Sequence, residues 1–220
     1  MSNSTVPWDK LPHFWKKKIK KELDGNQGVY LDDVAISTLW DQADEQRVDK
    51  ELAKVREGVI PADSFEQKIM RYYNDQTLPR EFEPLEQSEP KHDLVVNTGL
   101  VRIAQLVTGK STTYFTYFAS GTGIATERPA DFKLASENYR VSMLSSGFVE
   151  AVGTAMKFVG KFPSFLPSAT ITEGGAFDIG TQNFGTMLFR TLYPTSARFQ
   201  HIQSRTFYSL MQSINQVSVT

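Results

Sequence analysis

The sequence predicts an α+β protein, with an N-terminal helical arm or small helical domain over residues 1–78, a linker over 79–94 and a C-terminal antiparallel β-sandwich over 95–220. Three observations carry this. Up to residue 78, apolar residues recur at three- and four-residue spacing, the period of an amphipathic helix. Between 79 and 94, prolines mix with glutamates, which keeps a backbone extended and denies it both helix and sheet. Beyond Ser111 the period falls to two, with β-branched and aromatic enrichment and no intervening helical segments, and this favours a sandwich over a parallel α/β sheet.

In chain order, Pro12 suits a first helical turn, Trp15, Ile19 and Leu23 follow at four-residue spacing, and Gly25 is a stop. A second helix is expected from near Ser37, with Trp40, Ala43, Val48, Leu52 and Val55 on its apolar stripe and Lys54 and Arg56 late, as the helix dipole favours. A third starts after Pro61, capped by Asp63 or Ser64, and carries Phe65, Ile69, Met70, Tyr72 and Tyr73. After the linker, Asn97 caps a helix that turns Leu100, Ile103, Ala104 and Val107 inward and ends at Gly109. Strands are expected at 114–119, 139–148, 150–159, 169–177, 187–193 and 206–217, between clusters of Gly, Pro, Asn and Ser.

Composition narrows the function classes. With 220 residues, 40% of them hydrophobic, the chain is long enough to bury one sizeable core or two modest ones. A net charge of -1 gives no global field to draw nucleic acid, so none is expected as a partner. The absence of cysteine removes disulfides, thiolate zinc sites and thiol catalysis. Residues 1–9 lack the apolar core of an export signal and no apolar run approaches a membrane span, so neither export nor a membrane is expected.

No motif assembles a nucleophile, a base and an orienting group. Gly109-Lys110-Ser111 imitates the end of a phosphate loop, yet Ala104 stands where the first glycine is needed. Gly121-Thr122-Gly123 lacks the third glycine of a dinucleotide site. His13, His92 and His201 fall in separate segments, without metal-ligand spacing, so no metal or cofactor is expected. Glu173 and Asp178 flank Gly174-Gly175 and invite a paired-carboxylate or cation-site reading. The reading preferred is structural: the diglycine makes a bulge or positive-φ turn, and the acids bond backbone amides or a cation such as Arg190.

Contact residues are expected in two places. Trp8, Phe14 and Trp15 stand beside Lys16, Lys17, Lys18, Lys20 and Lys21, and aromatics beside cations are favoured at interfaces; Trp40 joins them in the helical region. The other place is the apolar, proline-containing loop with Phe162, Phe165 and Leu166, which would be an exposed patch on a solitary domain.

The segment Ala169-Thr170-Ile171-Thr172-Glu173-Gly174-Gly175-Ala176-Phe177-Asp178, then Gly185-Thr186-Met187-Leu188-Phe189-Arg190, resembles the β-rich domain of small virion structural proteins of tailed bacteriophages. Asn97-Thr98-Gly99-Leu100 and the run from Tyr114 to Gly123, YFTYFASGTG, extend the resemblance over roughly the C-terminal half. It implies a non-enzymatic virion component of the tail, baseplate, neck or fibre-attachment layer, assembled in the host cytoplasm in multiple symmetric copies. Its partners would be other virion proteins and copies of itself. Capsid decoration or a head fibre, and a carbohydrate-binding module for a host receptor, stand as alternatives.

Overall fold

The computed structural model describes residues 29–69, 83–88, 91, 93–152, 155–164, 166–193, 199–201 and 206–219. Trp8, Phe14, Trp15, Lys16, Lys17, Lys18, Lys20, Lys21 and Phe165 lie outside the described residues, as do the first expected helix, Met70, Tyr72 and Tyr73. The protein is mixed α and β, and its sheets are antiparallel.

The first sheet begins where a helix was expected. β1 (Val29–Asp41) is a strand along its whole length, antiparallel to β12 (Thr206–Val219) from Val29 opposite Val219 to Asp41 opposite Thr206. The physical reason is burial on both faces. Leu39 enters the core shared with the second sheet, while Ile36 and Trp40 enter the core beneath the helices. Because residues 35–40 are buried on both faces, Ser37 and Thr38 stand inside along with Ile36, Leu39 and Trp40, and the apolar–polar alternation that marks a half-buried strand is lost. Asp41 ends the strand: its carboxylate accepts from the Ala43 amide at 2.8 Å and caps a 3-10 turn over Gln42–Asp44.

Two helices follow, α1 (Glu45–Arg56) and α2 (Ala62–Ile69). They bury Val48, Leu52, Val55, Phe65 and Ile69, as their spacing predicts, against Ile36, Trp40, Phe148 and Val159 of the sheet. The described part of the expected linker is also tied down. β2 (Glu86–Gln87) pairs with β1, Lys91 bridges to Ala35, and β3 (Leu94–Val95) pairs with β10 (Met187–Leu192). Backbone pairing therefore crosses the boundary expected at 79–94.

α3 (Asn97–Val107) lies against β10, but on a different face from the one expected. A Cβ built on Gly99 would stand 2.3 Å from the Leu188 carbonyl oxygen, so only glycine lets the helix approach that strand. The inward face then runs through Gly99, Ile103 and Leu106. Leu100 and Val107, expected inside, are 48% and 82% exposed, and Val101 is 57% exposed.

The remaining strands are β4 (Tyr117–Gly121), β5 (Glu137–Ser142), β6 (Phe148–Val152), β7 (Ala155–Lys161), β8 (Ala169–Ile171), β9 (Glu173–Phe177) and β11 (Phe199–His201). A single turn, α4 (Met143–Ser146), interrupts what read as one strand over 139–148, and β6 and β7 form a hairpin where one strand was expected over 150–159. The strand orders are β2-β1-β12-β7-β6, β3-β10-β9-β4-β5 and β11-β8. Between the two larger sheets, the Phe189 ring packs edge-on against Phe118 at 5.8 Å and Phe158 at 6.1 Å.

This packing corrects three expected contact residues. Trp40 and Phe162 are 0% exposed and Leu166 is 1% exposed, all three within the chain's own cores. Large apolar side chains gain more from filling those cores than from standing in water. Trp40 Nε1 donates to Thr38 Oγ1 at 2.8 Å, so its one polar group is satisfied inside.

Candidate functional site

Residues 174 and 175 were expected to make a bulge or a positive-φ turn; they lie in β9, whose residues are all buried, and the register irregularity beside them falls on β10, between Met187 and Arg190. The glycines with positive φ are Gly58, Gly109 and Gly185 among the described residues. Gly175 serves a different need. Its Cβ would fall 2.7 Å from the Phe189 carbonyl oxygen on the neighbouring strand. Alternation along β9 places Glu173, Gly175 and Phe177 on one face, and over Glu173 runs the fifteen-residue segment 122–136, which joins β4 to β5 without helix or strand.

A buried charge clamp holds that segment. Glu173 is 0% exposed, and its Oε1 accepts from the amides of Gly123 at 3.0 Å and Ser136 at 2.7 Å. Its Oε2 accepts from the Ala135 amide at 3.1 Å and from Arg190 Nε at 2.9 Å, and pairs with Arg190 Nη2 at 2.7 Å. Arg190 then bonds Asp131 Oδ2 through Nη1 at 2.7 Å and the Ala125 carbonyl through Nη2 at 2.9 Å. Burial opposes the charged guanidinium, but the bonds and attraction from Asp131 and Glu173 outweigh it and hold its pKa above the ordinary value. The Gly-Thr-Gly element now has a physical reason. A Cβ on Gly121 would be 2.7 Å, and one on Gly123 2.3 Å, from Glu173 Oε1, so both glycines clear room for the carboxylate.

Further bonds fix the rest of the segment. Thr172 Oγ1 donates to the Gly123 carbonyl at 2.6 Å, the Asn97 amide to the Pro129 carbonyl at 2.8 Å, and Lys91 to Glu127 at 2.7 Å. Leu134 is the segment's apolar anchor, packed with Val96, Ala119, Phe177 and Met187. A concavity of about 530 Å³ is walled by Arg128, Asp131, Phe132 and Lys133, with Arg190 also in its lining.

A second rigid loop joins β9 to β10. Arg140 forks onto Glu137 at 2.7 and 2.8 Å, donates to the carbonyls of Ile179 at 2.7 Å and Phe184 at 2.9 Å, and lies 3.7 Å from the centroid of the Phe177 ring. Asn183 takes φ 63 and Gly185 φ 89. The Asp178 carboxylate accepts from the Thr186 amide at 2.7 Å and pairs with Arg102 of α3 at 2.9 Å. This framework holds Phe184 out at 66% exposure.

The structure thus joins Glu173 to Arg190, and it places Asp178 in the neighbouring loop as a fastener. It brings neither Trp40, Phe162 nor Leu166 to a surface. Sequence reasoning missed Asp131, Arg140 and Phe184, whose roles depend on partners far away in the chain, and Phe132, whose exposure only the fold of the segment reveals. Among the described residues, no group of three or more His, Asp or Glu is placed to hold a metal ion, and no helix is long and apolar enough to cross a membrane. Neither a protein-family model, nor a curated protein, nor a solved structure matches the chain.

Proposed function

We propose that the protein is a non-enzymatic structural component of a tailed-phage virion, joining neighbouring subunits in the tail, baseplate or neck region. In this reading its two five-stranded sheets are the layers of a β-sandwich that serves as a rigid module. Its partners are other virion proteins and copies of itself, met during assembly in the host cytoplasm. The motif resemblance supports the reading, because its glycines and its Glu173 and Arg190 are the residues that make the module rigid.

The observation that carries the proposal is the display of large apolar side chains on fixed backbone. Phe184 stands on a loop held by Arg140, and Leu100, Val101 and Val107 face outward from a helix locked to β10 by Gly99. Apolar anchors that are already ordered lose little entropy on binding, and they dominate interface energies. The proposal puts the contact surface at Phe184 and the outer face of α3, since Trp40, Phe162 and Leu166 are buried. Trp8, Phe14, Trp15 and the lysines from Lys16 to Lys21 remain the proposed contacts of the N-terminal arm.

The test is incorporation into particles. A chain carrying Phe184→Ser and Val101→Ser should keep its melting temperature, since both side chains are exposed, yet fail to enter particles that take up the unaltered chain. Absence of the unaltered chain from purified particles would contradict the virion reading. Normal uptake of the doubly substituted chain would remove this surface from it.

A further inference from the structure

Loops as long as 122–136 without secondary structure are uncommon in compact domains, and those that are held rigidly are frequently functional. Its fastening is costly. Burying a carboxylate and a guanidinium returns little net stability, because desolvation offsets their attraction, so a buried pair is better explained by the conformation it fixes. What the Glu173–Arg190 pair fixes is the wall of the 530 Å³ concavity, a size within the range of small-molecule sites.

The chemistry of that wall is unequal in sign. Arg190 is committed to Glu173 and Asp131, and Glu127 is committed to Lys91. Asp131 Oδ2 accepts from Arg190 and from the Arg128 amide. Of the charged side chains lining the concavity, Arg128 and Lys133 have no ionic partner among the described residues, and both are cations. Arg190 donates one hydrogen bond each from Nε, Nη1 and Nη2, all of them within the clamp. Between these groups stands Phe132, 61% exposed, with Lys133 Nζ at 5.9 Å from its ring centroid. Two cations and an exposed ring on fixed backbone offer nothing special to a neutral polar molecule. They match an anion that also has an apolar face.

We propose that this concavity binds a small organic oxyanion, a carboxylate or a phosphate monoester joined to a flat apolar group, with Arg128 and Lys133 receiving the anion and Phe132 the apolar face. The site is separate from the Phe184 surface, and the proposal stands whether or not the chain is a virion component. Charge-assisted bonds supply the attraction, and the ring supplies discrimination against free inorganic anions.

The experiment is a backbone-amide NMR titration of the full chain with benzoate, phenyl phosphate, inorganic phosphate and benzyl alcohol in turn. The proposal expects saturable shifts centred on residues 126–135 with benzoate, with phenyl phosphate or with both, the responding probe identifying the anion. Inorganic phosphate and benzyl alcohol should bind at least about tenfold more weakly, because each lacks one of the two recognised features. Lys133→Glu and Phe132→Ser alter exposed side chains and should fold normally; each should weaken the aromatic anion by about tenfold. Lys110→Glu, the same charge change on an exposed residue outside the concavity, should not. Four results would overturn the proposal: no localised shifts, shifts centred elsewhere, equal binding of benzyl alcohol, or unchanged affinity in both the Lys133→Glu and Phe132→Ser chains.

Discussion

Two of the non-strand segments laid on the sheets, the α1–α2 helices and residues 122–136, are fastened with different emphasis. Helices α1 and α2 sit on the first sheet mainly through Val48, Leu52, Val55, Phe65 and Ile69, with buried lysines beneath them, where Lys157 meets Glu66 and Asp63 and Lys161 meets Glu45 and Asp49. The 122–136 segment sits on the second sheet through one carboxylate, one guanidinium and their hydrogen bonds, with Leu134 as its apolar anchor. Apolar packing is roughly proportional to area and indifferent to detail, so it tolerates small shifts. A buried charge clamp has no such tolerance, because a lost partner leaves the remaining charge without water or a counter-ion. The first arrangement secures stability, whereas the second secures one loop conformation.

The sharpest way to break this comparison is to remove the clamp. Glu173→Ala strands Arg190 and three loop amides, and it should cost about 3–5 kcal/mol in urea unfolding. A loss below about 1 kcal/mol would mean that water replaces the carboxylate easily and that the segment is held by something else. On the helical side, Leu52→Ala removes a fully buried side chain and should cost about 2–4 kcal/mol. Its effect should stay local to the first sheet, with the amide shifts of residues 122–136 unchanged; shifts spreading into that loop would show that the two fastenings are not independent.

Acid separates the regions more gently. Burial opposes the charge on Glu45 and Glu51, but their bonds to lysines, and for Glu45 to Ser164 as well, outweigh it and hold both below the ordinary value of 4.5. Between the folded pKa and 4.5 the unfolded chain therefore binds more protons. This contribution is whole above that ordinary value and is lost as pH falls through the folded values. Lys157 is shifted up, so its contribution is whole below 10.5 and cannot compensate in acid. A Glu45→Gln, Glu51→Gln chain should lose less stability than the unaltered chain when urea midpoints are compared from pH 6 to pH 3; parallel curves would contradict this. Smallest of all, Arg47→Ala should change stability by less than about 0.5 kcal/mol, since the Arg47 side chain is 51% exposed and its bond to Asp44 is screened by water.

How much of this was legible in the sequence follows from the same contrast. α1 and α2 were readable because Val48, Leu52, Val55, Phe65 and Ile69 repeat at helical spacing, a signal contained within one segment. β1 was not, because its partner β12 lies at the other end of the chain and its two buried faces erase the alternation that marks a strand. α3 was placed correctly but faced wrongly: Leu100 and Val107 looked like core, and only the contact between Gly99 and Leu188 shows which side approaches the sheet. At the candidate site, the bond between Glu173 and Arg190 could be weighed as an option, whereas Asp131 and the amides of Gly123, Ala135 and Ser136 could not. Diglycine ordinarily signals a turn, and only the neighbouring Phe189 carbonyl shows why Gly175 belongs inside a strand.

Amide hydrogen exchange at Gly123, Ala135 and Ser136 tests the clamp most directly, because these three donors meet the Glu173 carboxylate. In the unaltered chain they should exchange about as slowly as the strand amides of β9. In a Glu173→Gln chain, which keeps the shape but removes the charge, they should lose at least about tenfold of that protection while the amides of α1 and α2 keep theirs. Fast exchange at these three amides in the unaltered chain, or protection unchanged by the substitution, would contradict the claim that a buried charge pair fixes this loop.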